Sequence, residues 1–263
     1  MEFRPCIDIH NGAVKQIVGG ELNEEEKSVK ENFVSGADAA YYARLYKEHG
    51  LYGGHVIMLN KSGTPEYEAS KAQALGALGE FPKGMHIGGG ITPENAPEFI
   101  DAGASHVIVT SYVFKNGIID MDALNRLEGA VGKERVVLDL SVRKRDDRYM
   151  IVTDRWQVFT STELTRDTLD RLSDHCDEFL VHGVDVEGLS SGIESELVGI
   201  LGSWNGRPVT YAGGVHGISD IELISVLGAG KVNVTVGSAL DIFGGSLKMS
   251  EVIDFCENMK LFP

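Results

Sequence analysis

The sequence predicts one α/β domain, a single (β/α)8 TIM barrel spanning residues 1–263. Three observations carry this. Eight short apolar, β-branched runs alternate with helix-compatible segments, the pattern of a parallel sheet with crossover helices. The length of 263 residues suits a barrel of about 250, and no Pro/Ser-rich linker divides it. The halves also echo each other. Gly88-Gly89-Gly90 matches Ala212-Gly213-Gly214, and Val107-Ile108-Val109-Thr110-Ser111 matches Val234-Thr235-Val236-Gly237-Ser238. Asp8 in the first strand has Asp139 in the fifth as its counterpart, so the repeat is half a barrel.

The elements follow in order. Strand one covers residues 3–9, with Asp8 near its C-terminal end. Gly12 ends it, and residues 14–18 read as a hairpin arm returning from the top. Residues 21–30 are charged and read as a loop. A helix over 38–49 takes its apolar face from Ala39, Ala40, Ala43, Leu45 and Tyr46. Strand two is 55–59, and a helix reaches 78 after a polar loop. Strand three, 85–87, runs into Gly88-Gly89-Gly90-Ile91-Thr92-Pro93, and Pro93 suits the first turn of a helix reaching 102. Strand four is 106–109, followed by Thr110 and Ser111. After strand five, 135–140, the polar stretch 143–155 reads as a β-arm that carries Trp156. Strand six, 178–182, leads into Gly183-Val184-Asp185-Val186-Glu187-Gly188. Strands seven and eight lie within 208–215 and 232–239, and a last helix covers 248–259.

Composition narrows the function. A net charge of −15 argues against nucleic acid and anionic membranes as partners. Cys6, Cys176 and Cys256 lack metal-type spacing and read as reduced thiols. The N-terminus lacks the apolar run of a signal peptide and no stretch approaches a membrane span, so a cytoplasmic protein is expected. The histidines show no metal-ligand spacing.

The two strand–glycine junctions at Gly213-Gly214 and Gly237-Ser238 aim backbone N–H groups at one point, an anion site suited to an acidic protein without a basic patch. The other reading is two tight turns; the pairing and spacing favour the anion site. Duplication supplies a second cup from Gly89, Gly90, Thr110 and Ser111, so the ligand should carry a phosphate at each end. Asp8, where a barrel strand meets its top loop, is either a proton-transfer group or a turn cap. Asp139 and Ser141 face one side of strand five, Asp139 as a reactive group or a buried partner. Trp156 suits a lid that stacks on a flat ring, and His182 a hydrogen-bonding role near a strand top.

These motifs together resemble a known family. Cys6-Ile7-Asp8-Ile9-His10-Asn11-Gly12, His86-Ile87-Gly88-Gly89-Gly90-Ile91, Arg155-Trp156-Gln157, His182-Gly183-Val184-Asp185-Val186-Glu187-Gly188, Tyr211-Ala212-Gly213-Gly214-Val215 and Val236-Gly237-Ser238-Ala239-Leu240-Asp241-Ile242-Phe243-Gly244-Gly245 resemble the ProFAR isomerases of histidine biosynthesis, in the branch typical of fungi and plants. The resemblance covers nearly the whole chain. It implies an aldose–ketose isomerase that performs an Amadori rearrangement on a bis-phosphorylated substrate, with no cofactor and no metal. Asp8 matches the family's proton acceptor. The strand-five proton donor falls on Asp139, or on Ser141 when the common Leu-Asp-Val-Arg pattern is set ungapped on Arg143, with Asp185 as a further candidate. Trp156 would stack on the imidazole ring, and Asp185 would join the substrate-binding groups. A monomer is expected.

The sequence departs from the bacterial pattern at Thr92, Met58 and Gly183. Two other functions stay open. The sister barrel, the cyclase subunit of imidazole-glycerol-phosphate synthase, needs a lysine where ungapped alignment puts Gln16. A non-catalytic phospho-sugar binding barrel would keep the cups and lack turnover.

Overall fold

Eight parallel strands close on themselves. In the computed structural model, which describes residues 1–17, 31–115, 117–153, 156–187, 189 and 191–261, the strands are β1 Cys6–His10, β2 Gly54–Met58, β3 Met85–Gly88, β4 His106–Val109, β5 Val136–Asp139, β6 Glu178–His182, β7 Val209–Ala212 and β8 Val232–Val234. Each pairs in parallel with the next. A Phe3–Val234 bridge shuts the ring: Val234 N–H donates to the Glu2 carbonyl at 2.9 Å and Arg4 N–H to the Val234 carbonyl at 2.8 Å. The helices among the described residues are α1 Ala39–Glu48, α2 Pro65–Glu80, α3 Ala96–Asp101, α4 Met121–Val131, α5 Arg166–Ser173, α6 Ser195–Gly202, α7 Ile218–Leu227 and α8 Met249–Leu261. This is the expected barrel, and none of these helices is long and apolar enough to cross a membrane. The expected loop at 21–30, Val18 of the arm, and Arg155 and Gly188 of the motifs lie outside the described residues.

Burial sets the strand pattern. On β1, Ile7 and Ile9 are fully buried against the helices, which leaves Cys6 and Asp8 on the inner face. Inside the barrel Ile108, Val137, Leu180 and Ala212 pack with Ile57. Toward the N-terminal ends the interior is polar: Arg4 pairs with Glu178, which also accepts from Thr210 Oγ1 at 2.7 Å. The apolar stripe of α1 is Ala39, Tyr42, Ala43 and Tyr46, at one-turn spacing. Tyr42 takes the place expected for Ala40 and Leu45, which are only half-buried at the stripe's edges. Asp38 caps α1 by accepting from Tyr41 N–H at 2.8 Å.

Two top-side additions were legible. Ala13–Ile17 folds back antiparallel on β1, with Ile9 opposite Val14. Val142–Arg145, Arg148–Thr153 and Val158–Glu163 form a three-stranded arm with Trp156 in its second turn. One expectation is corrected. Pro93 is not in the first turn of α3, which starts at Ala96. Asn95 intervenes: its side chain accepts from Thr92 N–H at 2.8 Å and donates to the Gly90 carbonyl at 2.9 Å, making a separate turn before the helix.

Candidate active site

A cleft opens at the C-terminal end of the strands. Asp8, Gln16, His55, His182 and Glu187 line it, and Gly213, Gly214, Gly237 and Ser238 wall one side. Asp8 sits where β1 meets its turn. Burial, then the nearby Glu187 carboxylate, lift its carboxyl from 3.8 to about 7. Gln16, on the returning arm, donates from Nε2 to Asp8 Oδ2 at 3.4 Å. Glu187 is also raised, mainly by burial, and its Oε2 is buried without a hydrogen-bond partner. Two carboxyls that hold protons unusually well therefore share one cleft, the arrangement proton transfer requires.

Asp139 behaves in the opposite way. Burial pushes it up, but three donors outweigh burial and hold it below the ordinary carboxylate range. These are His182 Nδ1 at 3.1 Å, Thr110 Oγ1 at 3.0 Å and Ser141 Oγ at 3.1 Å. Ser141 in turn accepts from the Trp156 indole N–H at 3.1 Å. Five expected site residues thus form one network, with Asp139 as its hub rather than as a cleft-lining group. Burial drives His182 down, but Asp139, Glu187 and Asp8 raise it to about 9. His55, whose ring centroid lies 6.5 Å from that of His182, is driven to about 3 by burial and by His182.

The cups have matching backbones. Gly89 and Gly90 take φ of +97° and +68°, and Gly213 and Gly214 take +123° and +71°, all in the region that favours glycine. A Cβ on Gly89 would strike the Met58 carbonyl, and one on Gly213 would lie 2.7 Å from the Gly183 carbonyl. Met58 and Gly183 stand at the tips of β2 and β6, so the collisions repeat with the half-barrel. Gly237 is followed by a single 3₁₀ turn, Asp241–Phe243, instead of a long helix. Ser111 begins a similar turn, Ser111–Val113.

Residues 2–247 match the family model described as histidine biosynthesis protein. The chain belongs to that family. It is 52% identical over 265 residues to the chloroplastic 1-(5-phosphoribosyl)-5-((5-phosphoribosylamino)methylideneamino) imidazole-4-carboxamide isomerase of Medicago truncatula, covering 99% of this chain and 83% of the relative. It is 46% identical to the isomerase of the same name from Yarrowia lipolytica, covering 98% of each chain. Against the one from Saccharomyces cerevisiae identity is 44%, covering 94% of each.

Within this member of the family, sequence reasoning missed Glu187 as a cleft residue and favoured Asp185. The difference lies in the 3₁₀ turn Val184–Val186, which follows β6. At about three residues per turn, positions 185 and 187 leave the turn in different directions. Asp185 points to the arm: it accepts from Arg143 Nε at 2.7 Å and from Lys144 N–H at 3.1 Å. Its structural position is that of an arm anchor. Gln16 carried a signal, since it occupies the position where the cyclase would need lysine, but its contact with Asp8 required the fold.

Proposed function

We propose that this chain is an intramolecular aldose–ketose isomerase, converting ProFAR to its phosphoribulosyl isomer in histidine biosynthesis. The observation that carries the reading is Asp8, a carboxyl poised at about 7, facing Glu187 across a cleft walled by a glycine cup. The reaction moves protons at the ring oxygen, at C2′, at C1′ and at the C2′ hydroxyl, with no change in composition. A proton reaches the sugar ring oxygen, the C1′–O bond opens, and the glycosylamine nitrogen forms the C1′ imine. Asp8 then takes the C2′ proton to give the enolamine and returns it to C1′, while the C2′ hydroxyl gives its proton to the Glu187 carboxylate, leaving the ketose and both carboxyls as they began. Glu187, raised and unpartnered at Oε2, supplies the first proton.

The two cups hold the terminal phosphates through backbone amides, and Trp156 covers the imidazole ring. The protein acts as a monomer on this small molecule without metal or cofactor. Cys6, Cys176 and Cys256 are buried thiols, in no disulfide among the described residues, which fits a reducing compartment such as the cytoplasm. Turnover of ProFAR by the purified protein tests the reading. Binding without conversion would make it a phospho-sugar receptor, and ammonia-dependent product from the ketose would make it the cyclase. The cyclase is disfavoured by Gln16, which offers Asp8 a neutral amide in place of an ammonium.

A further inference from the structure

The residue expected from sequence to donate a proton, Asp139, accepts three hydrogen bonds, one of them from a histidine that lines the cleft. Three hydrogen bonds hold the Asp139 carboxylate. Oδ2 takes the Thr110 hydroxyl, and Oδ1 takes Ser141 and His182. Nδ1 of His182 is spent on Asp139, so Nε2 is the nitrogen left for the cleft. Around that ring stand Asp139 from β5, Asp8 and the Cys6 thiol from β1, Glu187 from the loop after β6, and His55 from β2. Burial keeps the Cys6 thiol well up, and His55 is neutral, so the nearby groups that can carry charge are carboxylates.

We propose that Asp139 and His182 form a fixed cation: His182 is a further catalytic residue that presents an imidazolium N–H to the sugar oxygen between Asp8 and Glu187, and Asp139 is a positioning residue that never meets the substrate. A proton parked on His182 does two things. It stabilises negative charge developing on the ring oxygen as the C1′–O bond opens. It also offsets the repulsion between Asp8 and Glu187, letting one act as base while the other keeps its proton. Trp156 belongs to the same unit through Ser141, so seating the lid orients the hub. This inference rests on the isomerase reading.

The test combines imidazole 15N NMR titration with steady-state kinetics on ProFAR. His182 of the wild-type protein should remain an imidazolium past pH 8, in line with a value of about 9. Asp139→Asn should lower its titration point by about one unit or more, and the basic limb of the kcat profile should fall with it. A merely structural role for Asp139 would depress kcat equally at every pH and leave that limb in place. His182→Gln should cut kcat by about 100-fold with KM changed by less than about threefold. The proposal is overturned if His182 of the wild type titrates in the ordinary range, if the limb does not move in Asp139→Asn, or if His182→Gln keeps near-normal kcat. A wild-type protein that fails to turn over ProFAR at all would sink the isomerase reading and the catalytic role with it, while the titration would still read the pair.

Discussion

Asp8 and Asp139 occupy equivalent places in the two halves of the barrel, yet their carboxyls move in opposite directions. Asp8 sits beside a single neutral amide at 3.4 Å and another carboxylate, and it rises to about 7. Asp139 accepts from two hydroxyls and a histidine, and it falls. Both are half-buried and both feel His182. Duplication therefore copied a residue and its strand position, and the surroundings then gave the copies different chemistry. Hydrogen bonds to the ionised form favour it, and burial without them disfavours it.

The cups diverge in a parallel way. Their glycine conformations agree, but Gly213 and Gly214 are buried whereas Gly90 is exposed. The second cup has a roof, since Gly192 N–H donates to the Gly214 carbonyl at 3.0 Å and the Gly192 carbonyl lies where a Gly214 Cβ would go. Over the first cup a Gly90 Cβ would meet only side chains, Tyr67 at 3.2 Å and Ser62 at 3.4 Å.

The contrast can be broken most sharply at Asp8. Asp8→Asn should lower kcat by about 1,000-fold with the fold intact, and near-normal kcat would remove Asp8 from the mechanism. The same variant tests its raised proton affinity independently of catalysis. A carboxyl at 3.8 unfolded and about 7 folded loses stability to the protein as pH climbs through that window. Asp8→Asn should therefore raise Tm at pH 8, by about 2–4 °C for each 1 kcal/mol recovered, and leave it unchanged at pH 3. In the wild type, kcat/KM should decline on the acid side of about 7 as Asp8 protonates.

Next in size, Gly213→Asp should raise KM for ProFAR by about tenfold or more, because it sets a carboxylate and a strained φ in the proposed anion cup. Unchanged KM would refute the placement of that phosphate. Gly214→Ala and Gly90→Ala sharpen the comparison of cups. Both strain a positive φ, at about 1 kcal/mol or more, but only the first drives a methyl into a carbonyl, so thermal denaturation should rank Gly214→Ala as the more damaging. Thr110→Val strips one donor from Asp139 while leaving Asp8 alone, and should cost about fivefold in kcat, the worth of about one hydrogen bond. Trp156→Phe, which keeps the ring and loses the N–H to Ser141, should be the mildest, at a few-fold in KM. If Thr110→Val outweighed Asp8→Asn, the two halves would have to exchange roles.

Much of this was readable in advance because it is local. Runs of β-branched residues bounded by turn residues give short strands, so β4 and β6 fall on the expected residues and β2, β3 and β5 within one at either end, while β1 starts three residues later than expected and β7 and β8 fill only the first part of their stretches. The start of α3 lies three residues beyond Pro93 because residues 93–95 form a separate turn, in which the Thr92 carbonyl accepts from Asn95 N–H at 3.2 Å and Ala96 N–H at 2.9 Å. The inward face of Asp8 follows from the two-residue period of β1, and the shared side of Asp139 and Ser141 from that of β5. Glu187 was not readable in this way, since a 3₁₀ turn has neither the strand nor the α-helix period.

What the residues by themselves determined is the barrel, its half-repeat, the twin glycine cups and Asp8 at a strand tip, because backbone preference and period act over a few neighbouring positions. What only the tertiary structure decided is which groups share a cleft and what protonation each adopts. Asp139 meets Thr110 and His182 from strands 29 and 43 residues away, and Asp8 meets Glu187 across the barrel. Proton affinity depends on burial and on such neighbours, and both arise only when the sheet closes.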